Sequence, residues 1–237
     1  MADTTVVLFE SFSYMKLRFQ KQRTEALTRV EILVIIAVLA ILAALFLPRL
    51  TKKTPRSNSR TRALQINCVN NLKQVGLSFR IWEGDNNNQY PMSVSVTNGG
   101  GRELIAAGNV AGCFQVMSNE LSTPKILVCP ADKSRVSAAS FQKDFDNSHV
   151  SYFIGLDASE SYPKQIMSGD DNLADFGVPV KSGLVLISSD YVSWIDGRHG
   201  SSGNILYADG SVSEVSVAGL HAALRLATNG INAFAIP

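Results

Sequence analysis

The sequence predicts an α+β fold in which a long N-terminal helix, transmembrane at first and then a stem, packs on a small antiparallel β-sheet head. Three observations support this expectation. An uninterrupted apolar run lies near the N-terminus, an amphipathic helical pattern follows it, and a β-hairpin pattern lies in the C-terminal third. The 237 residues suffice for one ordinary domain with extensions or for two small domains.

Charge is distributed unevenly along the chain, although the formal net charge is only +2. Residues 1–82 contain 13 Lys/Arg against 4 Asp/Glu, whereas residues 83–237 contain 9 against 16. Because phosphate binding requires a basic surface, the acidic C-terminal part argues against nucleic acid as a partner of the head. The basic residues flank the apolar run on both sides, which indicates a lipid bilayer as partner.

The apolar run extends from Ile32 to Leu47, sixteen residues without a polar side chain. As a helix it measures roughly 24 Å, which is short of the roughly 30 Å hydrocarbon core of a bilayer. Extension back to Leu27 lengthens it to about 31 Å and predicts a transmembrane helix at residues 27–48. The extension includes Glu31, and an unpaired carboxylate in an apolar helix is costly in free energy.

A cleaved secretory signal peptide is an alternative explanation of this run, since basic residues precede it. The run is longer than the roughly 7–15 residues of such peptides, and no small-x-small cleavage site follows Leu47-Pro48-Arg49. The pattern therefore favours an uncleaved anchor. Because both flanks are basic, the positive-inside rule does not assign its orientation.

The segment Ala26-Leu27-Thr28-Arg29-Val30-Glu31 and the apolar run after it resemble the N-terminal cleavage and methylation segment of type IV prepilins and type II secretion pseudopilins. The resemblance implies that prepilin peptidase cuts between Ala26 and Leu27 and methylates the new N-terminus. Glu31 then becomes the fifth residue of the mature chain, where the family has a glutamate. Pro48 stands where many members have a helix-kinking proline. Ala26 replaces the usual Gly, and Leu27 replaces the usual Phe.

The same resemblance implies a structural subunit of a secretion pseudopilus or a type IV pilus-like filament. Its partners are then prepilin peptidase, copies of itself, other pilins or pseudopilins, and an inner-membrane assembly platform. The implied location is the bacterial inner membrane, single-pass, with a periplasmic C-terminal domain. In the filament, Glu31 neutralises the α-amino group of a neighbouring subunit, and slipped registers leave both charges unpaired.

The predicted organisation has four parts: a basic leader at 1–26, the transmembrane helix at 27–48, a basic and partly helical stem at 49–83, and a periplasmic α+β head at 84–237. A start at Met15 would shorten the leader to twelve residues. Two other functions remain open at this point. One is a permanently membrane-anchored periplasmic binding module that does not polymerise, and the other is an anchored hydrolase.

The stem is predicted to resume its helix near Arg62 and to end at Glu83-Gly84, before a run of asparagines. Apolar residues recur there at three- and four-residue spacing and predict one buried face, at Ile66, Val69, Leu72, Val75 and Phe79. The stretch from Cys68 to Gly76 also resembles the stem of a large group of bacterial pseudopilin-like proteins.

Three cysteines occur in the chain, and two of them, Cys113 and Cys129, enclose fifteen residues. In an oxidising periplasm they could form a disulfide worth about 3 kcal/mol, which would leave Cys68 as a free thiol. Free buried thiols are the alternative. The neighbouring segment Ile126-Leu127-Val128 is a strand candidate, and so are residues 150–156.

The C-terminal third carries the hairpin pattern. Strands are predicted at 184–189, 204–208 and 211–215, with Asp209-Gly210 as a two-residue turn, and a helix is predicted at 218–228. His199 precedes Asp209-Gly210 by nine intervening residues. This spacing resembles the C-terminal His-nine-Asp-Gly motif that is often paired with the prepilin-type N-terminus.

The chemistry of this motif has two explanations. In the structural one, Asp209 and Gly210 form the turn and His199 binds a loop carbonyl. In the other, His199 lies beside a Ca²⁺ site formed by Asp190, Asp196 and Asp209.

Enzyme signatures are missing from the sequence. Residues 199–203 lack a Gly-x-Ser-x-Gly elbow, residues 85–90 lack the glycine of an EF-hand loop, and the three histidines show no metal-ligand spacing. The acidic pair Asp170-Asp171 is expected on a solvated loop. We therefore expect no catalytic residues, no metal ligand set and, apart from the Ca²⁺ hypothesis, no cofactor.

Overall fold

A computed structural model describes residues 28–50, 56–195, 197–228 and 231–237, with side-chain positions for all of these except 45–50 and 56–58. The chain divides into two compact units between residues 53 and 54. The α-helices of the described part are α1 (Arg29–Leu50), α2 (Arg56–Asp85), α3 (Arg102–Ala106), α4 (Val110–Val116), α5 (Ser118–Leu121) and α6 (Val217–Thr228).

Helix α1 belongs to the first unit, and a capping box fixes its start. The backbone N–H of Thr28 donates to the Glu31 carboxylate at 2.8 Å, and the Glu31 N–H donates to the Thr28 hydroxyl at 3.3 Å. This reciprocal pair satisfies backbone donors that a helix start otherwise leaves free. The helix continues past Pro48 to Leu50, and the kink expected at Pro48 stays a prediction.

No helix in the described part of the chain is both long and apolar enough to cross a membrane. The predicted transmembrane helix at 27–48 is therefore wrong, and so is the predicted single-pass location in the inner membrane. The physical reason lies in the first turn of α1, where Arg29 and Glu31 are charged. The uninterrupted apolar part begins only at Ile32, and its roughly 24 Å falls short of the roughly 30 Å that a span requires.

The fold is α+β with two antiparallel sheets, which replaces the predicted architecture of a transmembrane helix on one small sheet. The first sheet has six strands in the order β5-β9-β1-β2-β7-β8, and the second has three in the order β4-β3-β6. The strands are β1 (Tyr152–Gly155), β2 (Ile166–Asp170), β3 (Leu173–Asp175), β4 (Val178–Pro179), β5 (Gly183–Ser188), β6 (Val192–Trp194), β7 (Ser202–Tyr207), β8 (Val212–Ser216) and β9 (Ile231–Ile236).

The six-stranded sheet is covered on both faces, as the alternation along β1 demonstrates. Tyr152 and Ile154 belong to the larger core cluster, which includes the buried face of α2. Phe153 points the other way and belongs to the smaller cluster, which includes Leu224 of α6. Because successive strand residues face opposite sides of a sheet, α2 covers one face and α6 covers the other.

Helix α2 buries a face that overlaps the predicted one but is not identical with it. Leu72, Val75 and Phe79 are fully buried as expected. Ile66 is exposed, and Cys68 takes its place in the core. The helix also begins at Arg56, six residues before the predicted start.

Two local predictions in the second unit were wrong in detail. The strand expected at 126–128 is instead the end of a 3₁₀ helix over Pro124–Leu127, whose N-terminal proline suits a helical turn. The Asp209-Gly210 turn belongs to a three-residue loop. There the Gly210 N–H donates to the Tyr207 carbonyl and the Tyr207 N–H donates to the Ser211 carbonyl.

Gly210 adopts φ +81°, the left-handed conformation that closes a three-residue hairpin loop. A Cβ there would meet only the Arg80 side chain at 3.8 Å, so the cost of a side chain is conformational. We expect Gly210→Ala to lower the free energy of unfolding by about 1–2 kcal/mol in urea titrations. Gly84→Ala, in helix α2 with no atom within 4 Å of its Cβ, is the control. Gly84→Ala is expected to raise the free energy of unfolding by up to about 1 kcal/mol. Equal effects of the two changes would contradict the left-handed conformation of Gly210.

Candidate functional site

Helix α1 presents apolar side chains to solvent on all its sides. Each of these side chains is 44–68% exposed: Val30, Ile32, Leu33, Val34, Ile35, Ile36, Val38, Leu39, Ile41 and Leu42. A helix that is apolar all round is normally buried against other protein or lipid. This surface is therefore the first candidate for a functional role.

Glu31 lies at the start of this apolar surface and is exposed. The Thr28 backbone N–H and then the Thr28 hydroxyl stabilise its carboxylate, and these bonds lower the pKa of Glu31 below its usual value. A negative charge therefore stands at the N-terminal end of α1 at neutral pH. Ala26 and Leu27 lie outside the described residues, and cleavage between them stays a prediction.

The second candidate is a buried group of four side chains, Cys68, Cys129, Asp170 and His199, which we call the Cys₂AspHis cluster. One ligand-type atom from each residue lies within 4.8 Å of the others. The Cys129 thiol is 3.2 Å from His199 Nε2, and the Cys68 thiol is 3.4 Å from Asp170 Oδ1. His199 Nε2 lies 3.6 Å from Asp170 Oδ2, which closes the group.

Four separate parts of the second unit supply these residues. Cys68 lies on the buried face of α2, and Cys129 follows the 3₁₀ helix over Pro124–Leu127. Asp170 is the last residue of β2, and His199 precedes β7. Since β2 and β7 are paired in the sheet, their adjacent ends hold Asp170 and His199 side by side.

Asp170 is completely buried, and Asn204 on β7 holds one of its oxygens. The backbone N–H and the side-chain amide of Asn204 donate to Asp170 Oδ2 at 2.8 and 2.9 Å. Burial raises the pKa of Asp170, against the attraction of His199 and Arg198. The carboxyl group is therefore fixed in position with its second oxygen directed at Cys68.

The two thiols of the cluster differ in acidity. A hydrogen bond from Cys68 lowers the pKa of Cys129 to about 6, and His199 adds to this effect against the cost of burial. Burial raises the pKa of Cys68 well above its usual value. Burial alone would lower the pKa of His199, but the bond to Cys129 and the charge of Asp170 raise it. Cys129 is therefore the thiol that ionises first.

A layer of ion pairs lies next to the cluster. The guanidinium of Arg198 contacts Asp171 at 2.7 Å and Asp132 at 2.6 Å, and it also donates to the Ser151 carbonyl at 3.2 Å. Arg135 contacts the other oxygen of Asp171 at 2.6 Å. The expectation that Asp170-Asp171 lies on a solvated loop is wrong, because both carboxylates are buried and paired.

The structure separates the members of the predicted His-nine-Asp-Gly motif. His199 belongs to the buried cluster, whereas Asp209 accepts hydrogen bonds from Ser211 in the hairpin loop and pairs with Lys164 at 3.0 Å. Asp190, another residue of the Ca²⁺ hypothesis, pairs with Arg225 at 2.7 Å. Asp196 lies outside the described residues. The motif is therefore split between a turn and a buried site.

The Cys113–Cys129 disulfide considered from the sequence is not present, since all three cysteines are free thiols. Cys113 is fully buried in helix α4, where burial raises its pKa to about 12. Cys129 instead contacts Cys68 and His199. The spacing of cysteines in the sequence therefore did not identify the contacts that the fold forms.

The sequence interpretation missed Cys68, Asp170 and Arg198 as members of a site. Each is distant in sequence from its partners, so no local spacing marks the group. One signal was available: cysteine and histidine are usual ligands of zinc, and the chain contains three of each.

Comparison of this chain with known protein families, curated proteins and solved structures gives no match.

Proposed function

We propose that this chain is a structural subunit of a type IV pilus-like or type II secretion pseudopilus filament, processed by prepilin peptidase between Ala26 and Leu27. The observation that carries the proposal is the exposure of the apolar side chains of α1 on all its sides. In a filament, α1 packs against α1 of neighbouring copies. Other pilins or pseudopilins and an assembly platform are the remaining partners of such a subunit.

Burial of α1 against its copies supplies the driving force for assembly. Complete burial of a Val, Leu or Ile side chain stabilises a complex by about 1.5–3 kcal/mol. Ten such side chains are at least 44% exposed on α1. Because these side chains are roughly half exposed, complete burial of all ten contributes about 7–15 kcal/mol. This is comparable to the loss of freedom on association, which is about 4–15 kcal/mol.

Glu31 gives the packing its register. Cleavage after Ala26 leaves an α-amino group four residues before Glu31 in each subunit. If the Glu31 carboxylate of one subunit meets the amino group of the next, both charges are neutralised in an apolar surrounding. A slipped arrangement leaves both charges unpaired, which is costly in free energy.

The experiment compares Glu31→Ala, Glu31→Gln and Glu103→Ala in the full chain, expressed in the native host. Glutamine keeps the capping box with Thr28 but removes the charge. We expect both Glu31 variants to reduce the amount of sedimentable filament at least tenfold, which corresponds to about 1.4 kcal/mol. Glu103 is also an exposed carboxylate that accepts a backbone N–H, so Glu103→Ala should assemble as the wild type does.

Electron microscopy and ultracentrifugation measure the filament, and mass spectrometry measures the N-terminus. The expected mature chain begins at Leu27 with an N-methyl group. Normal assembly of Glu31→Gln would contradict the charge-pairing role. Filaments built from chains that retain residues 1–26 would contradict the proposed processing.

A further inference from the structure

We propose that the Cys₂AspHis cluster binds one structural Zn²⁺ ion inside the second unit. This site is separate from the assembly surface of α1 and does not depend on the proposed filament.

The donor atoms have the chemistry that zinc prefers. Two thiols, one imidazole nitrogen and one carboxylate oxygen are present, and cysteine, histidine and aspartate are the usual protein ligands of Zn²⁺. Hard cations such as Ca²⁺ and Mg²⁺ prefer sites made only of oxygen ligands. A site with two thiols therefore favours zinc over Ca²⁺.

The spacing of the donors agrees with a tetrahedron. With bonds of about 2.3 Å to sulfur and about 2.0–2.2 Å to nitrogen and oxygen, the ligand atoms of a tetrahedral zinc site are about 3.4–3.8 Å apart. The Cys129 thiol is 3.2 Å from His199 Nε2, the Cys68 thiol is 3.4 Å from Asp170 Oδ1, and His199 Nε2 is 3.6 Å from Asp170 Oδ2. One donor atom from each of the four residues lies within 4.8 Å of the other three. Shifts of a few tenths of an ångström would accommodate the ion.

Neighbouring groups orient the donors toward a common centre. Asn204 holds Asp170, and the Tyr152 hydroxyl contacts the Cys68 thiol at 3.4 Å. Only the Nε2 atom of His199 faces the other donors; Nδ1 has no hydrogen-bond partner among the described residues. The outer partners of Asp170 and Cys68 are of the kind that fixes metal ligands before the ion binds.

Burial identifies the role of the site. All four residues are buried, and four protein donors complete the tetrahedral coordination of zinc. A catalytic zinc site keeps one position open for water or substrate. The site would therefore stabilise the head, by tying α2 and the segment around Cys129 to the paired ends of β2 and β7.

Metal content of the purified full chain is the first test. We expect about one zinc per chain by inductively coupled plasma mass spectrometry. We expect at least a fivefold lower content in Cys68→Ala and in His199→Gln. Cys113→Ala and His221→Gln are the matched controls, since Cys113 is an equally buried free thiol and His221 bonds the Val192 carbonyl outside the cluster.

Two further readouts use the wild-type chain and do not depend on whether the variants fold. Removal of zinc by a chelator should lower Tm by roughly 5–10 °C, as expected for an ion present at about 100 times its Kd. Replacement of zinc by Co²⁺ should give the thiolate-to-cobalt charge-transfer band and the strong visible bands of tetrahedral cobalt.

Other outcomes would overturn the proposal. A wild-type chain with less than a tenth of an equivalent of zinc, and no zinc uptake when the reduced chain is supplied with it, would exclude the site. A disulfide between Cys68 and Cys129 would also exclude the site. Thiol labelling of the denatured, unreduced chain would then find one reactive thiol instead of three. Failure of filament assembly with one zinc bound would contradict only the proposed function.

Discussion

Replacement of Arg198 by methionine is expected to lower the free energy of unfolding of the head by about 3–5 kcal/mol. The Arg198 side chain is only 10% exposed and pairs with two carboxylates, Asp132 and Asp171, which are 3% and 5% exposed. Methionine keeps most of the packing volume but leaves two buried carboxylates without this partner. Arg135 still pairs with Asp171, so the cost comes mainly from the buried charge of Asp132, which loses its cationic partner.

Arg225→Met is the control for this experiment. Arg225 also makes a 2.7 Å ion pair, with Asp190, but the two side chains are 61% and 55% exposed. Exposed ion pairs contribute at most about 1 kcal/mol. Both variants are unfolded in urea in the presence of a chelator, which excludes any contribution of bound metal to stability. Similar losses of unfolding free energy in the two variants would contradict the claim that burial makes the Arg198 ion pairs important.

Phe79→Ala is expected to cost about 3–5 kcal/mol of stability. Phe79 is fully buried on α2, and its ring packs edge-on against Tyr90 and Phe114 with centroids 6.1 and 6.0 Å apart. Truncation removes both ring contacts and leaves a cavity between α2, Tyr90 and helix α4. The measurement is the shift of the urea midpoint, and the m-value is expected to stay unchanged.

Leu77→Ala tests whether the effect comes from the buried face and not from the helix itself. Leu77 lies on the same helix and is 60% exposed, so the change removes little buried surface and places a good helix former there. We expect its effect to stay within about 0.5 kcal/mol. If Leu77→Ala were as destabilising as Phe79→Ala, the orientation of α2 would be wrong.

Helical and hairpin patterns were predictable because their signals are local. The three- and four-residue spacing from Leu72 to Phe79 marks a helix face, and the turn residues at 209–210 mark a hairpin. Helix α6 was predicted to within one residue of its start. In each case a short window contains the whole pattern.

Strand β2 was not predictable in the same way, since it combines buried polar residues with apolar ones. All five of its residues are buried, including Ser168 and Asp170. Their cost is offset by hydrogen bonds to the Phe153 carbonyl and to Asn204, 15 and 34 residues away. These hydrogen-bond partners come together only once the sheet has formed. In the sequence alone, the acidic residues at the end of β2 therefore indicated a solvated loop.

The transmembrane prediction failed for a different reason. It required extension of the apolar run across Arg29 and Glu31 to reach a sufficient length. The capping box of Thr28 and Glu31 places these residues at a helix start, where charged and hydrogen-bonding groups are favourable. The same residues therefore begin the helix and limit its apolar length.

The position of β9 restricts the order in which the head can be made. It is synthesised after every other described strand, yet it lies between β5 and β1 and pairs with both. Until residue 236 has emerged from the ribosome, β5 has no neighbour in the six-stranded sheet. A growing chain thus carries an unpaired strand for about fifty residues of synthesis, and protection by a chaperone would be most valuable during that interval.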